Sequence, residues 1–200
     1  MKKIGIYGGT FNPPHIGHVR AAESFRQSLP LDELLIIPDF LPPHKSLSGS
    51  ITPEDRLNMC RLAFSHIDGA VISDMEIKRG GKSYTALTLK ELSGPERELY
   101  FLCGTDMFLT LEEWYHPEEI FSLAYICVVR RESDKSITEA IEEHRKAYVQ
   151  KYGAKIILID SEALEISSTD LRDELEVGNS ANKYLSKNVN NYILEKGLYK

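Results

Sequence analysis

Short apolar runs separated by helix-like segments set the tightest limit on what this chain can fold into. The runs are Lys3–Tyr7, Glu33–Ile37, Ala70–Ser73, Glu98–Cys103, Tyr125–Val129 and Lys155–Ile159. Most lack the polar alternation of a strand with one wet face, and several are rich in Ile, Val and Tyr. Strands buried on both faces of a parallel sheet have this character. Between them lie helical candidates at His15–Gln27, Pro53–Ser65, Thr85–Leu92, Pro117–Phe121, Ser136–Tyr152, Ser168–Glu176 and Lys187–Lys196. Thr52 offers an N-cap to the second, with Pro53 at its first helical position. The alternation predicts an α/β fold: a Rossmann-like open parallel sheet with right-handed crossovers and helices on both faces. In such sheets ligands bind beyond the carboxyl ends of the strands, near the switch in strand order. Motifs that follow strands therefore carry the functional argument.

A chain of 200 residues with no repeat or low-complexity tract suits one domain, here with a small C-terminal helical part from about residue 168. The formal net charge of -6 argues against nucleic acid as a partner, because a phosphate backbone demands a basic surplus. A small anion needs only a few local cations. Cys60, Cys103 and Cys127 show no paired spacing and read as reduced core thiols. The first strand starts at once, and no long apolar stretch follows. The expectation is a cytoplasmic protein without a membrane partner. Oligomeric state is not legible. The Pro-rich segment Asp39–Ser50 is the candidate mobile substrate loop.

The first strand runs into Gly8-Gly9-Thr10-Phe11-Asn12-Pro13-Pro14-His15-Ile16-Gly17-His18. Paired glycines let backbone turn sharply and approach a ligand closely. Thr10 adds a hydroxyl beside exposed N–H groups, and the helix opening near His15 favours an anion at its N-terminus. His15 and His18 share a helical face, and Gly17 removes bulk between them. Two imidazoles that donate to phosphate suit a triphosphate. A metal pair lacks a nearby third ligand, and two surface histidines would leave Gly-Gly-Thr unexplained. Gly-x-Gly-x-x-Gly and Gly-x4-Gly-Lys-Ser/Thr motifs are absent from the sequence.

Near the other end stands Ile166-Ser167-Ser168-Thr169-Asp170-Leu171-Arg172. An N-cap explains one hydroxyl well and three poorly. Arg172 lies one turn after Ser168, so hydroxyls, helix N–H groups and a guanidinium can meet one anion.

Gly8-Gly9-Thr10-Phe11 with His15-Ile16-Gly17-His18 resembles the nucleotidyltransferase superfamily related to class I tRNA synthetases. The Ser-Ser-Thr-x-x-Arg segment resembles its second phosphate signature. Further features resemble the bacterial nicotinate-nucleotide adenylyltransferases over nearly the whole chain. They are Pro42-Pro43-His44-Lys45, Ser83-Tyr84-Thr85-x-x-Thr88-Leu89, Gly104-Thr105-Asp106, Trp114-Tyr115, Arg130 and the segment Tyr184–Tyr199. The resemblance implies ATP contacts from Gly8, Gly9, Thr10, Phe11, His15, Gly17, His18, Gly104, Asp106, Ile166, Ser167, Ser168, Thr169 and Arg172. For the acceptor, nicotinate mononucleotide, it implies Thr10, Asn12, Lys45, Ser83, Tyr84, Thr85, Asp106, Trp114 and Arg130. His15, His18, Lys45 and Arg172 become the catalytic donors, with Mg²⁺ bridging phosphates and no dedicated protein cage. Taken without the resemblance, Lys45 fits a solvated loop charge as well as a phosphate ligand, and Trp114 fits core packing as well as ring stacking. Three positions depart from the family pattern. Asn12 and Ala86 stand where many members carry acids, and Arg131 stands where proline is common.

The implied reaction is in-line attack of the acceptor phosphate on the α-phosphorus of ATP, with no protein nucleophile. Pantetheine-phosphate adenylyltransferase is the rival within the enzyme class. A nucleotide-binding regulator without turnover is the rival outside it.

Overall fold

In the computed structural model the apolar runs become a six-stranded, all-parallel sheet in the order β3-β2-β1-β4-β5-β6. The structure describes residues 1–43, 51–130, 135–161, 166–177 and 183–199. The strands are β1 (Lys2–Gly9), β2 (Glu33–Pro38), β3 (Ala70–Ile72), β4 (Arg97–Gly104), β5 (Ala124–Arg130) and β6 (Lys155–Asp160). Among the described residues the helices are α1 (Ile16–Ser28), α2 (Pro53–Ala63), α3 (Met75–Arg79), α4 (Thr85–Leu92), α5 (Thr105–Leu109), α6 (Pro117–Leu123), α7 (Lys135–Tyr152), α8 (Ser168–Glu176) and α9 (Lys187–Lys196). The short helices α3 and α5 and the 3-10 turn Leu111–Glu113 are additions to the expected set.

The expected absence of alternation has a direct cause, since both faces of the sheet are covered. Leu34, Ile36, Tyr100, Leu102 and Cys127 join one core with Ala21, Phe25, Met59, Leu171 and Val189 of the helices. Their neighbours Leu35, Ile37, Phe101, Cys103 and Val128 join the other with Leu89, Phe108, Ile120 and Tyr148. Successive side chains of β2, β4 and β5 thus enter opposite, buried layers. All three cysteines are buried and unpaired. Burial pushes each thiol up, Cys103 to about 12. Helix starts follow their capping chemistry: Thr52 accepts from the Asp55 N–H, and Ser186 from the Val189 N–H.

The strand order reverses between β1 and β4, and there the sheet opens. β1 and β4 pair from Lys2↔Arg97 to Ile6↔Phe101 and no further. Beyond that point β1 stays with β2 as far as Gly9↔Pro38, and β4 stays with β5 as far as Gly104↔Val129. Two strands that diverge while remaining hydrogen-bonded on their outer sides leave a crevice at their carboxyl ends. Among the described residues no helix is long and apolar enough to cross a membrane.

Candidate active site

The wall of the crevice is the turn after β1. A Cβ on Gly8 would meet nothing within 4 Å, so this side of the strand faces open space. A Cβ on Gly9 would lie 3.0 Å from the Phe11 ring. That glycine is required because Phe11 folds back beneath the turn. Phe11 takes a left-handed φ of 49°, a conformation that costs a non-glycine residue about 1–3 kcal/mol. Its buried ring meets Tyr7, Phe64 and His18 edge-on, at 5.3, 5.7 and 5.2 Å between centroids. An aromatic plug thus sets the height of His18 above the core.

His15 is the N-cap of α1 rather than its first residue. It is buried, and its ring stacks on that of His18 at 3.7 Å. His18 Nδ1 accepts from the His15 backbone N–H at 3.1 Å. An Nδ1 that accepts must be unprotonated, so the neutral ring carries its hydrogen on Nε2 as a donor. The tautomer suited to meeting an anion follows from the local fold.

The second motif packs against the first. Arg172 donates to the Asn12 carbonyl at 2.9 Å, and Ser168 Oγ donates to the Pro13 carbonyl at 3.2 Å. The three hydroxyls have separate tasks. Ser167 caps α8 by accepting from the Thr169 N–H, Ser168 makes the tie to Pro13, and Thr169 Oγ1 accepts from Arg172 at 3.1 Å. Those two bonds engage two of the five guanidinium hydrogens. Ile166 packs against the core just before this cap.

Two residues beneath the turn carry no sequence signal. Arg56 of α2 is wholly buried and donates to the Thr10 carbonyl, to Asp39 Oδ1 and to the Phe40 carbonyl at 2.9, 2.9 and 3.1 Å. Asp39 Oδ2 takes the Thr10 hydroxyl hydrogen at 2.7 Å. The hydroxyl donor expected of Thr10 is therefore engaged by Asp39 in this structure, and a hydroxyl has a single hydrogen to give. Tyr199 is the third unforeseen partner, since its hydroxyl donates to Asn12 Oδ1 at 2.6 Å. Burial raises the Tyr199 phenol, with Arg172 and Arg56 pulling the other way, so the group stays a donor. These contacts lie 16 to 187 residues apart in sequence and only the fold brings them together.

Beside the segment that leaves β2, Ser83-Tyr84-Thr85 opens α4. Ser83 Oγ accepts from the Phe40 N–H at 2.9 Å, and its own N–H donates to the Leu41 carbonyl at 2.9 Å. The Tyr84 ring lies 4.4 Å from that of Tyr115, the neighbour of Trp114. Trp114 is half-buried and meets Phe101 edge-on at 6.3 Å, so it serves the core while keeping a partly exposed surface. Gly104 caps α5, and Asp106 sits exposed in its first turn, at the end of β4. Ala86 is fully buried in the core beneath α4. Arg130 pairs with Asp160 across the β5–β6 register, which places its charge away from the β1–β4 opening. His44, Lys45 and Arg131 lie outside the described residues. Among the described residues no group of three or more His, Cys, Asp or Glu could hold a metal ion.

A sheet of this order, with an imidazole pair and an arginine at its switch point, defines a nucleotidyltransferase. The chain belongs to the cytidylyltransferase-like family, whose model matches residues 6–174. Within it, similarity runs over the full length to proteins named probable nicotinate-nucleotide adenylyltransferase. The one from Lachnoclostridium phytofermentans is 38% identical over 100% of both chains. The one from Desulfatibacillum aliphaticivorans is 37% identical over 98% of this chain and 99% of its own. Among solved structures, Plasmodium falciparum nicotinic acid mononucleotide adenylyltransferase complexed with APC shares the fold. Its TM-score is 0.75 at 23% identity, covering 100% of this chain and 98% of that one.

Proposed function

We propose that the protein transfers the adenylyl group of ATP to nicotinate mononucleotide, giving nicotinate adenine dinucleotide and pyrophosphate. The observation that carries the reading is the direct bonding of the two phosphate motifs, Arg172 to Asn12 and Ser168 to Pro13, across 160 and 155 residues. The similarity to named nicotinate-nucleotide adenylyltransferases over the whole chain supports the substrate pair. So does the likeness to a Plasmodium falciparum enzyme complexed with NaAD.

In this reading the triphosphate lies along Gly8, Gly9, Thr10 and Gly17. His15 and His18 donate from one side, and Ser167, Ser168, Thr169 and Arg172 grip from the other. Nicotinate mononucleotide takes the face of Ser83, Tyr84, Thr85 and Trp114, with Asp106 between the substrates and Lys45 closing on the phosphates. Asn12 contributes through its orientation by Tyr199. Arg130 keeps at most a long-range role, because its guanidinium is held by Asp160.

An oxygen of the acceptor phosphate forms the new bond to the α-phosphorus. The bond from that phosphorus to its bridging oxygen breaks, and pyrophosphate departs with the electron pair. The attacking phosphate is already ionised at neutral pH, so no base is needed. Positioning two anions together and neutralising the growing charge supply the rate. His18 meets the charge through its Nε2 hydrogen and Arg172 through the guanidinium hydrogens that Asn12 and Thr169 leave unused. Among the described residues no carboxylate or imidazole cluster would hold Mg²⁺, so the ion would arrive with the nucleotide and supply charge neutralisation to its phosphates. We place the enzyme in the cytoplasm, as a single domain, with small-molecule substrates.

Pyrophosphate release from ATP tests the reading, with nicotinate mononucleotide, nicotinamide mononucleotide and phosphopantetheine offered as separate acceptors. Release with nicotinate mononucleotide at the highest kcat/KM is expected. Release only with phosphopantetheine, or with none, overturns it.

A further inference from the structure

Behind the acceptor face lies a buried carboxylate that the reaction does not use. Glu76 of α3 is 7% exposed, in a helix whose other ionisable side chains reach solvent more freely. Thr88 Oγ1 donates to Glu76 Oε1 at 2.5 Å and accepts from Arg79 at 2.7 Å. Arg79 itself stands 3.6 Å from the same carboxylate oxygen and 3.0 Å from Glu91. The Ser83 hydroxyl acts to hold the Glu76 carboxyl down, and its oxygen accepts from the Phe40 N–H. A continuous chain of donors thus runs from Arg79 through Thr88 to the acid, with Ser83 beside it anchored to Phe40. Burial raises the Glu76 carboxyl, with Thr88, Ser83 and Arg79 acting against it. A buried carboxyl is retained at a cost, and here Ser83 and Thr88 bracket one short segment, Tyr84-Thr85.

We infer that Glu76 is the positioning residue that fixes the Tyr84–Thr85 backbone, and thereby sets the preference for a pyridine carboxylate over a carboxamide. The inference rests on the acceptor site proposed above. A carboxylate only accepts hydrogen bonds, whereas an amide also presents two N–H groups. Backbone N–H groups tell the two apart only when the loop cannot turn to offer a carbonyl instead. Ser83 and Thr88 stand on either side of Tyr84 and Thr85, Thr88 donating to the acid and Ser83 accepting from the Phe40 N–H. Movement of the intervening peptides would break those bonds. Glu76 reaches the substrate through the loop and does not touch it.

The Glu76→Gln variant replaces one acceptor oxygen by a donor, which then faces the donors of Arg79, Thr88 and Ser83. Thr88→Val removes the relay hydroxyl at nearly constant volume. Each variant and the wild type would be assayed with nicotinate and nicotinamide mononucleotide separately, alongside KM for ATP and the melting temperature. The expected result is a fall of tenfold or more in the ratio of kcat/KM for acid over amide. KM for ATP should stay within about threefold, as expected of a change confined to uniform binding of one substrate. A wild-type preference that survives within twofold in both folded variants overturns this inference alone. A wild type with no preference for the acid overturns the acceptor site, and this inference with it.

Discussion

The turn after β1 and the loop that opens α4 are each supported by a buried acid and an arginine, in different ways. Beneath the phosphate turn, Arg56 is 0% exposed and meets Asp39 directly at 2.9 Å, with two backbone carbonyls completing its partners. Beneath the acceptor loop, Arg79 remains 23% exposed and stands 3.6 Å from Glu76, reaching it mainly through the Thr88 hydroxyl. The first arrangement joins α2 to the ends of β1 and β2, so the pair belongs to the fold itself. The second joins α3 to α4 with Arg79 alone reaching the surface, where water can stand in for it. Tight direct pairing makes site and stability inseparable, whereas a hydroxyl relay lets the site be tuned with the fold left standing.

The strongest test of that contrast is Arg56→Met. It leaves Asp39 buried without its counter-ion and two carbonyls without a donor, which should cost about 3–5 kcal/mol of stability. Urea unfolding of the variant and of Arg79→Met should show the loss at Arg56 alone, and equal losses would erase the distinction. Next in size is His18→Ala, a change in barrier rather than in fold. Loss of one preorganised donor should raise the barrier by about 2.7–4 kcal/mol, roughly 10²–10³ in kcat. Folded protein turning over within threefold of wild type would remove His18 from the reaction. Tyr199→Phe should cost less, about 1–3 kcal/mol for the buried Asn12 oxygen left without its donor. Part of that should appear as reduced kcat/KM for ATP, and a variant unchanged in both respects would make the Asn12 contact incidental.

The smallest effect concerns pH. Burial raises the Glu76 carboxyl above its ordinary value of 4.5. The folded state therefore binds this proton more tightly than the unfolded chain does. Its contribution to stability is fully present below about pH 4.5 and is lost as pH rises through the raised folded value. Glu76→Gln carries no such proton, so its melting temperature relative to wild type should climb as pH rises above about 4.5. Thermal melts across that range decide it, since a constant difference would mean that Glu76 ionises no differently in the folded chain.

Most of the scaffold was legible because a strand buried on both faces must be apolar throughout. The expected runs match the strands to within two residues at each end, and α4, α8 and α9 match outright. The elements α3 and α5 escaped because five residues hold too little of a helical period to distinguish from a turn. At the site, motif residues were readable because glycines, histidines and hydroxyls clustered locally. Asp39, Arg56, Glu76 and Tyr199 were not, because each looks like an ordinary charge or core aromatic until a distant partner arrives. Arg130 shows a partner the sequence hides, since its place at the end of β5 is legible but the carboxylate of Asp160 reaches it only through the β5–β6 register.

The contact between Tyr199 and Asn12 also orders events during protein synthesis. The first strand and its turn leave the ribosome long before their partners. Pairing of β1 with β2 closes a short loop and can form early, whereas ties spanning 155, 160 and 187 residues close last. Until then the carbonyls of Asn12 and Pro13 have only water to satisfy them. A nascent chain that has already built half of its sheet has yet to join the turn after β1 to α8 and Tyr199.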